Sequence, residues 1–439
     1  MSDQAQSLNE GLVEEIKNRL YSQEFLERNR QRAQDFTRTP ILTFTLLILF
    51  LTNFVKRGLQ DELDEYFKLL SGDELAPRAV TKSAFTLARR KIKYEAFIEL
   101  NKVQVSYFYH NYTRLEFDGF NGFRLLGIDG SMSDLPDDNK EKEIGKHFGY
   151  WGSRHGTQTP KARISQMFDV LNQVTVDAII APKEEAERVL AAEHLKAVGP
   201  SDLILLDRGY PAFWLFVLIM QQGAAYCARI SGWNVIDEFI KSGLSETIVT
   251  LNPSHEAKKE CRNRDLPIDP IQVRLIRVEL EDEIEVLATN LLDGETYPHH
   301  LFQKLYNKRW PVEEDYKKLK SKLQVESWSG KTVHSVYQDF HAKVFSKNLT
   351  CILAHQAQEE VLKQNANKKH DYQINMSHAF TKMKDTIIKL FQKPSITHIL
   401  QWLWMMMTNT VEPIREGRSY PRRKRVKRKR FPSNYKPLR

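Results

Sequence analysis

The nonapeptide FRLLGIDGS, residues 123–131, marks the point at which the 439-residue chain changes its fold class. Before it, up to about Asn111, apolar residues recur three and four positions apart, which is the period of a helix, and strand signals are absent. From Phe123 onward, short apolar runs bounded by turn residues predominate, which is typical of strands. The sequence therefore predicts an α-helical unit followed by an α/β region.

The α/β region alternates strand and helix signals. After FRLLGID come a hairpin that turns near Asn172, a helix over about 183–198, the strand LILLD at 203–207, a helix after Pro211 and the strand AAYCARI. This order predicts a mixed α/β sheet. Residues 231–291 show no convincing helix but contain the strand-like runs ETIVTL, IQVRLIRV and EIEVLATNL, so we interpret them as a β-rich insertion.

These changes of pattern predict five segments. They are an α-helical DNA-binding domain (1–112), the first part of the core (113–230), the β-rich insertion (231–291), the second part of the core with C-terminal helices (292–410) and a basic tail (411–439).

A helix-turn-helix is one interpretation of residues 72–92, GDELAPRAVTKSAFTLARRKI. A turn with Gly and Pro leads to Thr81 as N-cap, and the helix then opens with Lys82 and Ser83 and closes with Arg89 and Arg90. A helix in this position meets DNA in helix-turn-helix proteins. The alternative is an ordinary surface helix with a basic end.

The net charge of +9 comes from the C-terminus. Residues 415–439 carry a net charge of +11, and the remainder of the chain carries −2. Such a basic tail suits a polyanion such as nucleic acid, although a solvated solubility tail is the alternative. The candidate DNA contacts are Arg422, Arg423, Lys424, Arg425, Lys427, Arg428, Lys429 and Arg430.

Several classes of protein are disfavoured. The three cysteines are far apart and form no C-x-x-C pair, which argues against a disulfide framework or a zinc ribbon and favours a reducing cytosol. The first residues are acidic and polar, unlike a secretory signal. The longest apolar stretch, residues 41–54, is shorter than the roughly 20 residues that span a bilayer, so we expect a buried helix with Thr39 as N-cap and Pro40 at its first position.

Two aspartates follow apolar strands. Asp129 ends LLGI and Asp207 ends LILL, and a glycine close behind each aspartate permits close approach of backbone or ligand. Either aspartate alone is more simply a turn or capping residue, but two at adjacent strand ends suit a hard cation such as Mg²⁺.

A third acid is expected in YNKRWPVEEDYKKLKSKL, residues 306–323. Pro311 suits the first helical position. On a continuous α-helix, Glu313 lies within about 20° of Lys320, whereas Glu314 and Asp315 rotate away. Glu313 is therefore the best candidate, with a role as a partner of the helix dipole as the structural alternative.

The combination resembles the DDE transposases of bacterial insertion sequences, in particular the insertion-sequence-four family. The resemblance rests on DGS at Asp129, DRGY at Asp207 and the spacing Y-x2-R-x3-E-x6-K, and it extends in order over about residues 39–349. The residues of that spacing are Tyr306, Arg309, Glu313 and Lys320. The family implies a ribonuclease H-like core interrupted by a β-strand insertion before the last acid.

The resemblance also implies roles. Asp129, Asp207 and Glu313 would bind two Mg²⁺ ions, with Mn²⁺ as the alternative, and Tyr306, Arg309 and Lys320 would hold the phosphates of the transposon end. Trp233 or Trp310 would be the candidate to stack on an extruded base.

The implied partners are double-stranded DNA, both transposon ends and target, and a second copy of the chain in a synaptic homodimer. No membrane is implied, and the expected location is the bacterial cytoplasm in association with the nucleoid. The alternatives are a catalytically inactive DNA-binding protein derived from a transposase and a nuclease on the same core.

Removal of residues 415–439 should weaken DNA binding with little regard to base sequence. Each neutralised phosphate contributes a slope of about −0.9 to log K against log salt on duplex DNA, so the truncated protein should show a flatter salt dependence. Titrations of labelled duplex DNA at several salt concentrations measure this slope. An unchanged slope would mean that the tail does not contact DNA.

Overall fold

The computed structural model describes residues 1–38, 41–137, 142–152, 158–232, 234–280 and 283–415. The helices are α1 (Asp3–Leu20), α2 (Gln23–Asn29), α3 (Phe44–Thr52), α4 (Leu59–Ser71), α5 (Lys82–Arg89), α6 (Glu95–Asn111), α7 (Glu143–Phe148), α8 (Glu187–His194), α9 (Phe213–Gln221), α10 (Asn234–Ser242), α11 (His255–Arg262), α12 (Phe302–Asn307), α13 (Pro311–Lys317), α14 (Val333–Asn365), α15 (Met376–Met383), α16 (Thr386–Gln392) and α17 (Thr397–Thr408). The strands are β1 (Arg124–Asp134), β2 (Tyr150–Gly152), β3 (Gln158–Asp169), β4 (Val174–Pro182), β5 (Asp202–Leu206), β6 (Ala225–Ile230), β7 (Glu246–Leu251), β8 (Ile271–Glu279), β9 (Ile284–Thr289), β10 (Tyr372–Ile374) and β11 (Val411–Pro413).

The contacts divide the chain into two compact units. Unit 1 comprises residues 1–113 and 133–162 and the described residues from Lys317 onward, and unit 2 comprises residues 114–132 and 163–316. The predicted helical content of residues 1–112 is confirmed. The prediction that these residues form a domain of their own is wrong, because they pack with the C-terminal helices.

Helix α14 is the central element of unit 1. Its 33 residues are largely buried, and α6 and α3 pack against it. Polar contacts accompany the apolar ones: the Gln104 side chain donates to the Phe345 carbonyl at 3.0 Å, and the Ser346 hydroxyl donates to the Thr52 carbonyl at 2.6 Å. These bonds satisfy polar groups that burial would otherwise leave without partners.

Helix α3 is the predicted buried helix, but it begins later than predicted. Its N-cap is Thr43, whose hydroxyl accepts a hydrogen bond from the Leu46 N–H at 3.3 Å. The predicted start at Thr39 and Pro40 is therefore wrong, and those two residues lie outside the described ranges. Within the described part of the chain, no helix is long and apolar enough to cross a membrane.

Unit 2 is built on a mixed sheet in which β3, β1, β5, β6, β9, β8 and β7 lie side by side in that order, and β4 pairs with β3. Strand β5 runs parallel to β1 and β6 parallel to β5, whereas β9, β8 and β7 follow in antiparallel pairs. All five residues of β5 are buried, which explains its continuous apolar run. An ion pair fixes the β1–β5 register at one end, since Arg124 is the register partner of Asp202 and its Nε lies 2.6 Å from the Asp202 carboxylate.

The predicted insertion contains β7, β8 and β9 as expected. The prediction that it lacks helices is wrong, because α10 and α11 lie between its strands. The sequence of α11, HEAKKECR, has too few apolar residues for an amphipathic stripe, and the better signal was its cap, where the Ser254 hydroxyl accepts from the Ala257 N–H at 3.2 Å. Strand β9 pairs with β6, so the insertion extends the core sheet.

Helix α13 packs directly on β1 at Gly127. A Cβ atom on Gly127 would lie 2.4 Å from the Cγ2 atom of Val312, a distance that real side chains do not tolerate. Val312 is fully buried and β-branched, so it cannot easily turn aside. The absence of a side chain at Gly127 therefore sets how closely α13 approaches the sheet.

Gly127→Ala should destabilise the protein by about 1–3 kcal/mol, since it overpacks this contact. Chemical denaturation measures the change, and Gly199→Ala is the control because a Cβ there has no heavy atom within 4 Å. Adding Val312→Ala should recover part of the loss in Gly127→Ala. An unchanged denaturation midpoint for Gly127→Ala would contradict the close packing of Val312 on Gly127.

Candidate active site

Asp129 and Asp207 occupy equivalent places on neighbouring strands. The β1–β5 register pairs Ile128 with Leu206, so the two aspartates follow the last register pair of parallel strands. The prediction that Asp129 ends its strand is wrong, because β1 continues to Asp134. The apolar run ends where the pairing with β5 ends, and the polar residues beyond it remain in strand geometry.

Two contacts of α13 place the third acid. Pro311 is its first residue, as predicted. One turn apart on one face, Val312 packs against Gly127 and the Tyr316 hydroxyl donates to the Asp129 carbonyl at 2.6 Å. Glu313 lies between these anchors in sequence, and Glu314 is exposed. Tyr316 was not identified from the sequence, where it reads only as one apolar position of a helix.

The carboxylates influence one another. Burial raises the pKa of Asp129 to about 6. The hydrogen bond from the Gly130 N–H and the charge of Arg309 oppose the rise, whereas the negative charges of Glu313 and Asp207 add to it. Glu313, predicted from the helix, therefore shares one electrostatic environment with Asp129 and Asp207, predicted from the strands.

Tyr306 and Arg309 contact these acids. The Tyr306 hydroxyl donates to Asp207 Oδ1 at 3.3 Å, and Arg309 Nη2 lies 3.0 Å from Glu313 Oε1. Burial alone would lower the pKa of Arg309, but Tyr306, Asp207 and Glu313 outweigh burial and raise it. Arg309 is 6% exposed, and its Nε has no hydrogen-bond partner among the described residues. A buried, fully charged guanidinium thus neutralises part of the acid group.

The donor chemistry suits a divalent cation, since carboxylate oxygens are the ligands that Mg²⁺ and Mn²⁺ prefer. Among the described residues, however, no three His, Cys, Asp or Glu side chains are grouped to hold a metal ion. The tight convergence expected of Asp129, Asp207 and Glu313 is therefore not present in this arrangement. A physical reason is that Glu313 pairs with Arg309, and three carboxylates at one point repel one another.

Lys320 lies beyond the end of α13. Residues Lys318–Lys322 form a π-helical turn, so the continuous α-helix assumed between Glu313 and Lys320 is wrong. Lys320 also belongs to unit 1, whereas the other residues of the spacing belong to unit 2. Trp310 is 54% exposed, and Trp233 lies outside the described residues, as does the basic run from Arg422 to Arg430.

Helix α5 has the predicted bounds, and the Thr81 hydroxyl caps it by accepting from the Ala84 N–H at 3.2 Å. Lys82, Ser83 and Arg90 are exposed. Arg89, in contrast, is buried, which does not support its predicted contact with DNA.

Arg89 is 3% exposed. Its Nη2 lies 2.9 Å from Asp339 Oδ1, and its Nε donates to the Gln338 side chain at 2.8 Å. Arg89 therefore joins α5 to α14 within unit 1, a role for which the sequence carried no signal.

Residues 122–349, just over half of the chain, match the family model of the transposase DDE domain. The chain belongs to this family. The match covers the strands and the helix that carry the three predicted acids.

Two Escherichia coli (strain K12) proteins are similar to this DDE-domain chain. The transposase InsG for insertion sequence element IS4 is 22% identical over 257 residues, which is 56% of this chain and 54% of InsG. InsZ is 24% identical over 129 residues, which is 29% of this chain and 42% of InsZ. The chain thus matches about half the length of these curated relatives.

One solved structure is also similar, the piggyBac transposase synaptic complex with hairpin DNA. The TM-score is 0.45 at 10% identity, and the alignment covers 89% of this chain and 84% of the other.

Asp129→Asn should stabilise the fold increasingly as pH rises from about 4 to 7, in the presence of a chelator. A raised carboxyl pKa means that stability is fully present below the unfolded-state value and is lost as pH rises through about 6. The amide removes this loss, so the advantage of Asp129→Asn should grow by up to about 3 kcal/mol.

Chemical denaturation across this pH range measures the effect. Glu314→Gln is the matched control, because this acid is exposed on the same helix as Glu313. If the difference in unfolding free energy between wild type and Asp129→Asn does not vary with pH, the pKa of Asp129 is not raised.

Proposed function

We propose that the protein is a DNA transposase that binds transposon inverted repeats, cleaves the ends with divalent metal and joins the 3′-hydroxyls to target DNA by a cut-and-paste route. The observation that carries the proposal is the placement of Asp129 and Asp207 after a shared strand register, with Glu313 on a helix packed on the same strand, inside the region that matches the DDE family.

The sheet supports the finer description of the core as ribonuclease H-like. Strands β4, β3 and β1 are followed by β5 and β6, which are both parallel to β1. The insertion strands β9, β8 and β7 then extend the sheet beyond β6, and they precede Glu313 in the chain. This order supports the interrupted core that the family resemblance implies.

Asp129, Asp207 and Glu313 are the proposed ligands of two Mg²⁺ or Mn²⁺ ions. Two bound divalent ions activate the attacking water or 3′-hydroxyl and stabilise the leaving oxygen. Glu313 would have to exchange its contact with Arg309 for this role. Arg309 is then available, with Tyr306 and Lys320, to hold the phosphates of the DNA end.

Other residues would also serve DNA binding. Lys82 and Ser83 are exposed at the start of α5, where a recognition helix meets base edges, and Arg90 is exposed at its end. The basic tail would add contacts to the DNA backbone that do not depend on sequence. Two copies of the chain would pair two ends, in the bacterial cytoplasm at the nucleoid.

Asp207→Asn should keep end binding and abolish cleavage, because the amide preserves shape while removing a charge that holds the metal ions. Metal stabilisation of the transition state is worth several kcal/mol, so cleavage should fall by about 100-fold or more. The assay uses a duplex that carries the ends of the DNA element encoding the chain, with Mg²⁺, and gel shift measures binding.

Glu314→Gln should cleave like wild type and serves as the matched control. Substantial Mg²⁺-dependent nicking by Asp207→Asn would reject the site. Cleavage by wild type without joining to target DNA would favour a nuclease on the same core, and end binding without cleavage would favour an inactive derivative.

A further inference from the structure

Helices α13 and α8 cover opposite faces of β1. A Cβ on Gly127 would meet Val312 of α13 at 2.4 Å. A Cβ on Gly130 would meet the Glu187 carboxyl group of α8 at 3.2–3.3 Å. Positions an odd number apart on a strand point to opposite faces of the sheet, and positions two apart point to the same face. The Asp129 side chain therefore lies on the α13 face, and support from the α8 face reaches Asp129 through its backbone.

The Asp129 carbonyl accepts a hydrogen bond from a hydroxyl group on each face. The Tyr316 hydroxyl of α13 donates to it at 2.6 Å, and the Ser165 hydroxyl of β3 donates to it at 3.5 Å. The Ser165 side chain belongs to the α8 face, because its Oγ lies 2.9 Å from Nε2 of His194, the last residue of α8. The peptide group that follows Asp129 is thus held from both faces of the sheet.

His194 links Ser165 to a further carboxylate. Its Nδ1 lies 2.7 Å from Asp177 Oδ2 on β4, the strand that pairs with β3. A ring nitrogen that faces a carboxylate carries a proton, so Nδ1 is a donor. Ser165 has one proton and gives it to the Asp129 carbonyl, so Nε2 donates to Ser165 Oγ as well. The contacts therefore assign a proton to both ring nitrogens, with Asp177 as the negative partner.

Aspartate, histidine and serine in this order also form the triad of serine hydrolases, in which the serine gives its proton to the histidine. Ser165 and His194 are 1% and 0% exposed, so a substrate does not reach the serine hydroxyl. The group at the end of this network is instead the Asp129 carbonyl.

We propose that Ser165 and His194 are positioning residues for Asp129, which hold its peptide group against the Tyr316 hydroxyl so that the Asp129 carboxylate keeps one orientation. The inference rests on the proposed function, in which Asp129 is a metal ligand. Hydrogen bonds that fix the orientation of a ligand raise the affinity for the metal ion. Metal affinity is therefore the property that Ser165 and His194 control, although neither residue is itself a ligand.

Mn²⁺ binding to the full-length chain, measured by isothermal titration calorimetry without DNA, tests the inference. Ser165→Ala should weaken Mn²⁺ binding by about 10-fold. The control is Ser346→Ala, because Ser346 in α14 is also buried and donates to a backbone carbonyl, that of Thr52, at 2.6 Å. Chemical denaturation should show a loss of stability in both variants, but the control should bind Mn²⁺ like wild type. Equal Mn²⁺ affinity for the two variants would mean that Ser165 is purely structural and would overturn the proposal.

Asp177→Asn tests the network from its other end, and it also serves if Ser165→Ala does not fold, since the Asp177 side chain is 27% exposed. The amide still accepts from His194 Nδ1 but removes the charge that favours a second proton on the ring. Nε2 then takes the Ser165 proton, and the Asp129 carbonyl loses that donor. Mn²⁺ binding should weaken by about threefold or more.

The two substitutions should not add, because both remove the same hydrogen bond to Asp129. Ser165→Ala/Asp177→Asn should therefore bind Mn²⁺ like Ser165→Ala alone. Wild-type affinity in Asp177→Asn, or a further loss in the double variant, would contradict the role of His194.

The failure of this inference is distinct from that of the proposed function. Asp207→Asn should lose Mn²⁺ binding under both. Wild-type affinity in Asp207→Asn, or no Mn²⁺ binding by wild type, would overturn the metal site and this inference with it. Lost binding in Asp207→Asn together with unchanged binding in Ser165→Ala and Asp177→Asn would reject only the role of Ser165 and His194.

Discussion

The contact of α13 with β1 is the constraint on which the candidate site depends. Val312 occupies the space that a side chain on Gly127 would fill, and the Tyr316 hydroxyl holds the Asp129 carbonyl. These contacts fix both the distance of the helix from the strand and its rotation. A shift of one residue would turn the helix by about 100° and carry Glu313 away from the aspartates.

Two buried carboxylates show how the same physics serves structure and function. In unit 1, burial would raise the pKa of Asp339, but Arg89, Lys343 and Ser329 outweigh burial and lower it. In unit 2, burial raises the pKa of Asp129, and its neighbours do not compensate. Asp339 is a fully neutralised partner that joins two helices. Asp129 keeps an unfavourable charge, which is the condition of a group that gains from binding a cation.

Close approach explains the glycines around the site. Gly127 admits Val312, and Gly130 admits the Glu187 carboxyl group. The glycines behind the two aspartates are recognisable in the sequence as places where something approaches the backbone. The sequence does not say what approaches, because Glu187 is distant in the chain and reaches Gly130 only when α8 packs beside the sheet.

The sequence by itself determined the elements whose signals are local. The apolar runs of β1 and β5 mark strands buried on both faces, the runs of β7, β8 and β9 mark the insertion, and Thr81 marks the start of α5. The motif spacing also identified the family, because the residue types and the gaps between them can be read directly from the sequence. Local sequence patterns do not reveal a helix that lacks an amphipathic stripe, such as α11. They also do not reveal a change of helical period, such as the π-helical turn after Lys317.

Tertiary structure decided which charges are partners. Arg89 and Arg90 are adjacent and alike in sequence, yet packing against α14 buries Arg89 beside Asp339 and leaves Arg90 in solvent. Packing likewise brings Tyr306 to Asp207 and Glu187 to Gly130. These outcomes depend on distances between segments far apart in the chain, and a linear pattern carries no information about such distances until the sheet and its helices have assembled.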